Sequence, residues 1–166
     1  MSTEDNLKTA FAGESQANRK YLAFSKKAEQ DNLPNIALMF KVIAEAETVH
    51  ALNHFRVMDL VKSTKENLTA AKAGEQYEID KMYPPMVDLA KKEANKAAAT
   101  TFTYALETEK VHQKMYDSAI KAASAGKDIE KKKYWVCPVC GYTGEGDPPE
   151  SCPICKTKKK MFKIME

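Results

Sequence analysis

Apolar residues recur every three or four positions from Leu7 to Ala119, the spacing that gathers side chains on one face of an α-helix. The residues between them are mostly Ala, Lys, Glu, Leu and Met, all good helix formers. Breaks at Asn32-Leu33-Pro34, Ser63-Thr64-Lys65, Tyr83-Pro84-Pro85 and Gly126 divide this region into predicted helices over roughly 4–31, 35–62, 66–93 and 95–124. Pro84 and Pro85 lie inside the third span and are expected to kink or interrupt it, because proline lacks an amide donor and clashes with the preceding turn. After Gly126 the texture changes to Pro, Gly, Cys and aromatic residues. The expected organisation is a helical domain over 1–126, a charged linker over 127–133 and a small second domain over 134–166.

The helical region repeats itself. Gly13-Glu14, Phe40 and Glu47-Thr48-Val49-His50 are echoed by Gly74-Glu75, Phe102 and Glu109-Lys110-Val111-His112. The offset is 61 at Glu14/Glu75 and 62 at the other pairs, so one residue is inserted, and the double proline is its expected place. A duplicated helix pair with pseudo-two-fold symmetry is the implied architecture.

The stripes that should form the core carry charge. On the second helix the inward positions read Ile36, Phe40, Ile43, Glu47, His50, His54, Val57, and on the fourth Ala98, Phe102, Ala105, Glu109, His112, Tyr116, Ala119. The first contributes Glu14 among Leu7, Phe11, Asn18 and Tyr21; the third contributes Glu75 and Glu78 among Leu68, Ala71 and Met82. Buried carboxylates without counter-charge cost several kcal/mol each, and these stripes hold no Lys or Arg. Two ferrous ions would bring +4 against the −5 of the five glutamates. The i, i+3 spacing of Glu47/His50 and Glu109/His112 sets carboxylate beside imidazole. The pattern matches the ferritin-like di-iron template, an all-α four-helix bundle with one Glu from each of two helices and a Glu-x-x-His from each of the others. Oxygen-rich, His-containing coordination favours iron or manganese over zinc. His54 has Tyr116 as its repeat partner and reads as a core residue or a support to the ligands, with no ligand role.

The tail carries Cys137-Pro138-Val139-Cys140 and Cys152-Pro153-Ile154-Cys155, separated by eleven residues. Paired CxxC turns let four thiolates converge on one metal. A domain of roughly 35 residues buries too little surface to fold without one. Iron in a rubredoxin-like site and zinc in a ribbon use the same four ligands.

Composition narrows the class further. A chain of 166 residues with 43% hydrophobic and 30% charged residues reads as a soluble globular protein. The longest apolar run, Ile36 to Phe40, is too short to span a membrane, and the first residues show no signal-peptide pattern, so a cytoplasmic location is expected. A net charge of +3 is too mild to imply nucleic acid. The four cysteines crowd into the last thirty residues and cannot staple the rest of the chain.

Four segments resemble the rubrerythrin family: Phe11-Ala-Gly-Glu14-Ser-Gln-Ala-Asn-Arg-Lys-Tyr21, Gly74-Glu75-Gln-Tyr-Glu78 with Met82-Tyr83-Pro84, Glu109-Lys-Val-His112-Gln-Lys-Met-Tyr116, and Cys137-Pro-Val-Cys140-Gly-Tyr142. The resemblance implies a ferritin-like four-helix bundle followed by a small, metal-stabilised rubredoxin-like β/loop domain. It implies iron ligands Glu14, Glu47, His50, Glu75, Glu78, Glu109 and His112, near-site Tyr21 and Tyr83, and a third iron on Cys137, Cys140, Cys152 and Cys155. The activity implied is reduction of hydrogen peroxide to water in oxidative-stress defence, with Glu78 and His50 exchanging as one iron changes redox state. Electrons would come from a redox protein such as a rubredoxin or an NAD(P)H-dependent reductase, through the rubredoxin-like iron. Family members are typically homodimers in which one chain's rubredoxin-like domain serves the other's di-iron site, so the two centres need not approach within one chain. Lys156 departs from the family's usual glycine, which either strains that turn or supplies a charge in its place. The competing readings are a ferroxidase or oxidase using dioxygen on the same scaffold, and a zinc-ribbon protein that contacts nucleic acid through Lys131–Lys133 and Lys158–Lys160.

Overall fold

The computed structural model describes residues 2–165. Helix α1 spans Thr3–Gln30 and α2 spans Pro34–Val57. Ser2 starts α1 with a reciprocal capping box to Asp5, and Pro34 opens α2 at a position where its missing amide costs nothing. Asn32 at φ 58° turns the chain between them, and Asp59 at φ 54° stops α2 five residues short of the expected 62. The chain divides into two compact units, one ending at Lys62 and the other beginning at Ser63.

In the first unit the two helices meet along Ala37, Ala44 and Ala51, buried at seven-residue intervals. Such small side chains bring the backbones close enough for polar groups of α1 to reach the ladder of α2. Asn18 Nδ2 donates to Ala44 O at 2.7 Å and to Thr48 Oγ1 at 2.8 Å, and Ser25 Oγ donates to Ala37 O at 2.9 Å. Both side chains are buried, so each bond avoids an unmet desolvation cost of about 1–3 kcal/mol. These bonds fix the sliding register of Glu14 against Glu47.

The second unit opens with α3 (Thr64–Tyr77), capped by Ser63 and Glu66, and continues through a π-helical turn, Glu78–Met82, into α4 (Tyr83–Lys92). The interruption lies directly before the prolines, whose missing amides leave the Asp80 and Lys81 carbonyls without their usual donors. Pro84 and Pro85 occupy the first turn of α4, where amides have no helical acceptor. The wide turn houses the extra residue of the repeat. Tyr21 packs on Phe40 at 6.2 Å between ring centroids and Tyr83 packs on Phe102 at 6.4 Å. That pairing has the offset 62, whereas Glu14/Glu75 has 61, so the insertion lies between residues 75 and 83. A single-turn π-bulge is the ordinary way a helix absorbs one residue. Helix α5 (Lys96–Ser124) is capped by the Asn95 side chain.

The tail forms a three-stranded antiparallel sheet, β2-β1-β3, from β1 (Tyr134–Val136), β2 (Thr143–Glu145) and β3 (Lys163–Met165). Its core is Trp135, Phe162, Cys137, Cys140 and Cys152, with Tyr104 of α5 packed against it. Gly144 pairs with Trp135 across the sheet, and a Cβ there would lie 2.2 Å from the indole ring. Gly144→Ala is expected to destabilise this domain by about 1–3 kcal/mol through overpacking. Faster loss of its metal to a chelator would register the effect; an unchanged rate would show that Trp135 can move aside.

Candidate metal centres

Each unit gathers one set of carboxylates around a histidine. In the first, Glu14, Glu47 and His50 place one ligand atom each within 4.8 Å of the others, and His50 Nδ1 lies 2.8 Å from Glu47 Oε2. In the second, Glu75, Glu109 and His112 do the same, with His112 Nδ1 at 2.6 Å from Glu109 Oε2 and 3.8 Å from Glu75 Oε1. The duplicated Glu-x-x-His motif thus sets carboxylate beside imidazole in both helix pairs.

The electrostatics of the second set suit a bound cation. Burial and the Glu109 carboxylate, which shares a hydrogen bond with it, push Glu75 up to about 7; Glu78 adds to the repulsion. Burial and then the Glu109 charge also raise Glu78, against a smaller opposing pull from His112. Burial, followed by the charges of Glu78, Glu109 and Glu75, raises the Tyr83 phenol. Tyr116 is raised by burial and by Glu75 and Glu109, so it borders the set as well. The periodicity had assigned Tyr116 to plain core; its place one turn beyond His112 was the available signal. Tyr21 rests among Phe24 and Phe40 on the first unit.

The four cysteines bring their sulfurs within 4.8 Å of one another. Two matching knuckles hold them. Gly141 N donates to Cys137 O at 2.9 Å and Lys156 N donates to Cys152 O at 3.0 Å. Gly141 takes φ 81° and Lys156 φ 64°, so the lysine does occupy the left-handed conformation that glycine adopts without cost. Its Nζ donates to Pro153 O at 2.9 Å, which ties the side chain across its own knuckle. Burial pushes the Cys140 thiol up. Burial also acts on Cys155, but the Thr157 hydroxyl, 3.1 Å from its sulfur, and the Thr157 amide outweigh it and bring the thiol down to about 6. The paired thiols and tetrahedral crowding suit one metal.

A family profile described as "Rubrerythrin" matches residues 5–120, and one described as "Rubrerythrin, rubredoxin-like domain" matches residues 135–163. The chain belongs to the rubrerythrin family. "Rubrerythrin-2" of Clostridium acetobutylicum is 42% identical over 96% of this chain and 95% of its own length. "Nigerythrin" of Nitratidesulfovibrio vulgaris is 35% identical over 97% and 85%. The solved structure "Fully reduced state of nigerythrin (all ferrous)" superposes with TM-score 0.58 at 34% identity, covering 99% of this chain and 87% of that one. The fold class is accordingly that of rubrerythrins, ferritin-like helices followed by a rubredoxin-like domain. The donor sets fit the rubrerythrin cofactors, two irons on carboxylate and imidazole and one on four thiolates. No helix among the described residues is long and apolar enough to cross a membrane.

One feature of this rubrerythrin was not visible in its spacing. The resemblance implied that the two centres need not approach within one chain, yet Thr143 of β2 places its Oγ1 2.5 Å from His112 Nε2. Thr108 of α5, buried, donates to Cys140 O at 3.3 Å beside it.

Proposed function

We propose that this protein is a hydrogen peroxide reductase of oxidative-stress defence, acting in the cytoplasm, with Glu14, Glu47, His50, Glu75, Glu78, Glu109 and His112 as its di-iron ligands. The observation that carries this reading is Glu78, a carboxylate beyond the simple ferritin-like template. It sits at the start of the π-turn and feels the charges of Glu109 and His112. Reduction of peroxide consumes two electrons and two protons and releases two waters. Bound iron supplies the electrons and the Lewis acidity. The chain supplies the protons and their placement. Tyr83, raised further by three neighbouring carboxylates, keeps its phenol proton at neutral pH and can donate it within the site. Tyr21 occupies the equivalent place on the first helix pair and takes the same role there. Glu78 exchanges with His50 as a ligand.

The four-cysteine iron returns electrons singly, drawn from a rubredoxin or an NAD(P)H-dependent reductase. The functional division follows as 1–126 for the di-iron domain, 127–133 for the linker and 134–166 for electron entry. A homodimer completes the reading: Leu38, Val42, Val49 and Leu52 line one exposed face of α2, each more than half exposed, and a second copy is the natural cover for them.

Anaerobic stopped-flow tests the activity. The fully reduced protein, mixed separately with hydrogen peroxide and with air-saturated buffer, is expected to oxidise far faster with peroxide. Equal or faster oxidation by dioxygen would replace this reading with the ferroxidase one. Glu78→Ala is expected to slow peroxide oxidation about tenfold, a barrier increase of about 1.4 kcal/mol, and to lower metal content by less than that. A variant that turns over normally would remove Glu78 from the mechanism.

A further inference from the structure

His112 uses its two ring nitrogens in opposite directions. Nδ1 faces the carboxylates of Glu109 and Glu75. Nε2 faces the rubredoxin-like domain, 2.5 Å from Thr143 Oγ1, and Thr143 Oγ1 lies 3.4 Å from Gly141 O. Gly141 directly follows Cys140, whose own carbonyl accepts from Thr108. The repeat counterpart is different. His50 directs Nδ1 at Glu47 in the same way, but its side chain is 54% exposed, and its Nε2 has no hydrogen-bond partner among the described residues.

An imidazole that gives its Nδ1 lone pair to a metal must carry its proton on Nε2. In His112 that N–H points at Thr143 Oγ1. The threonine hydroxyl, having accepted, is left with its own proton to donate to the Gly141 carbonyl. The order of donation is therefore His112 to Thr143 to Gly141, which fixes both the tautomer and the ring plane of His112.

We propose that Thr143 is a positioning residue that accepts the Nε2 proton of His112 and so fixes the tautomer and ring plane of that imidazole. The inference rests on the ligand set proposed above and not on which oxidant the protein uses.

The test compares Thr143→Val, which keeps the shape and loses the hydroxyl, with Thr143→Ser, which keeps the hydroxyl and loses a methyl. Full-length protein is loaded with zinc as a diamagnetic stand-in, and histidine Nε2–H exchange with water is followed by nitrogen-15 NMR. The His112 signal is identified by its loss in His112→Gln. Slow exchange at His112 is expected in the wild type and in Thr143→Ser, with at least tenfold faster exchange in Thr143→Val and no change at His50. Equal exchange in wild type and Thr143→Val would overturn the proposal. So would a defect confined to Thr143→Ser, since packing of the methyl would then be the whole effect. Because peroxide is absent from the experiment, its outcome is independent of the activity assigned above.

Discussion

Stripping the metal from Cys137, Cys140, Cys152 and Cys155 is expected to unfold residues 134–165 while the helices stay folded. Three of the five buried core residues of this domain are themselves cysteine ligands, leaving Trp135 and Phe162 as the apolar core proper. Each strand has three residues, too short for a sheet that stands on its own. Structural tetrathiolate sites contribute about 10–16 kcal/mol at neutral pH, which is folding free energy when no core precedes the metal. Trp135 is the chain's single tryptophan and only 5% exposed, so its emission reports this domain alone. After chelation its fluorescence should shift to the red while the far-ultraviolet helical signal persists. Trp135 that remains shielded without metal would mean that the packing of Tyr104 and Phe162 suffices to hold the domain.

A second large effect is expected at Glu75. In metal-free protein its carboxyl is raised from 4.5 to about 7 by burial and by Glu109. The folded state therefore binds more protons than the unfolded state between these two values, and stability falls as pH rises through that window. Metal-free protein should melt at a higher temperature at pH 5 than at pH 8, read from the helical signal. Glu75→Gln removes the charge, so it should flatten this dependence and raise the melting temperature at pH 8. The same substitution should weaken metal binding at the His112 set by more than the roughly 10–100-fold that losing an outer partner costs, since a direct ligand is gone. A gain in metal-free stability bought with a loss of metal is the signature of a site under electrostatic strain. If Glu75→Gln melts no higher than the wild type at pH 8, the carboxylates are better solvated than their crowding implies.

The stripes of charge inside apolar helix faces made most of this legible beforehand. Glu47 and His50, like Glu109 and His112, lie one helical turn apart, and local spacing dictates that they meet; Glu14 and Glu75 join them through helix packing, which the repeated pattern signalled. The CxxC pairs are local in the same sense. What spacing could not show lies across longer separations. Thr143 reaches His112 over 31 positions through the docking of a sheet on a helix, and no periodicity encodes that. Tyr116 was hidden by its apolar stripe, where a phenol near carboxylates and a packed tyrosine look alike. The interruption of the third helix was visible both as a one-residue offset and in Pro84 and Pro85, which directly follow it. The aromatic pairs Tyr21–Phe40 and Tyr83–Phe102 would have located it, because their shared offset confines the extra residue to the stretch before Tyr83. Lys156 was recognised as out of place; its left-handed backbone shows the fold imposing a conformation on a residue that resists it.

The π-turn has a bearing on descent. A duplicated helix pair begins as two interchangeable copies, and point substitutions can be reversed one at a time. The residue housed at Glu78–Met82 cannot. Deleting one position between Glu75 and Tyr83 would restore regular winding and rotate everything beyond by about 100°, with a shift of about 1.5 Å. Tyr83 would swing away from Phe102, and α4 would present a different face to α5. Once such an insertion is accommodated, the two halves of the chain are committed to separate histories, and recombination between them yields misaligned helices in either direction.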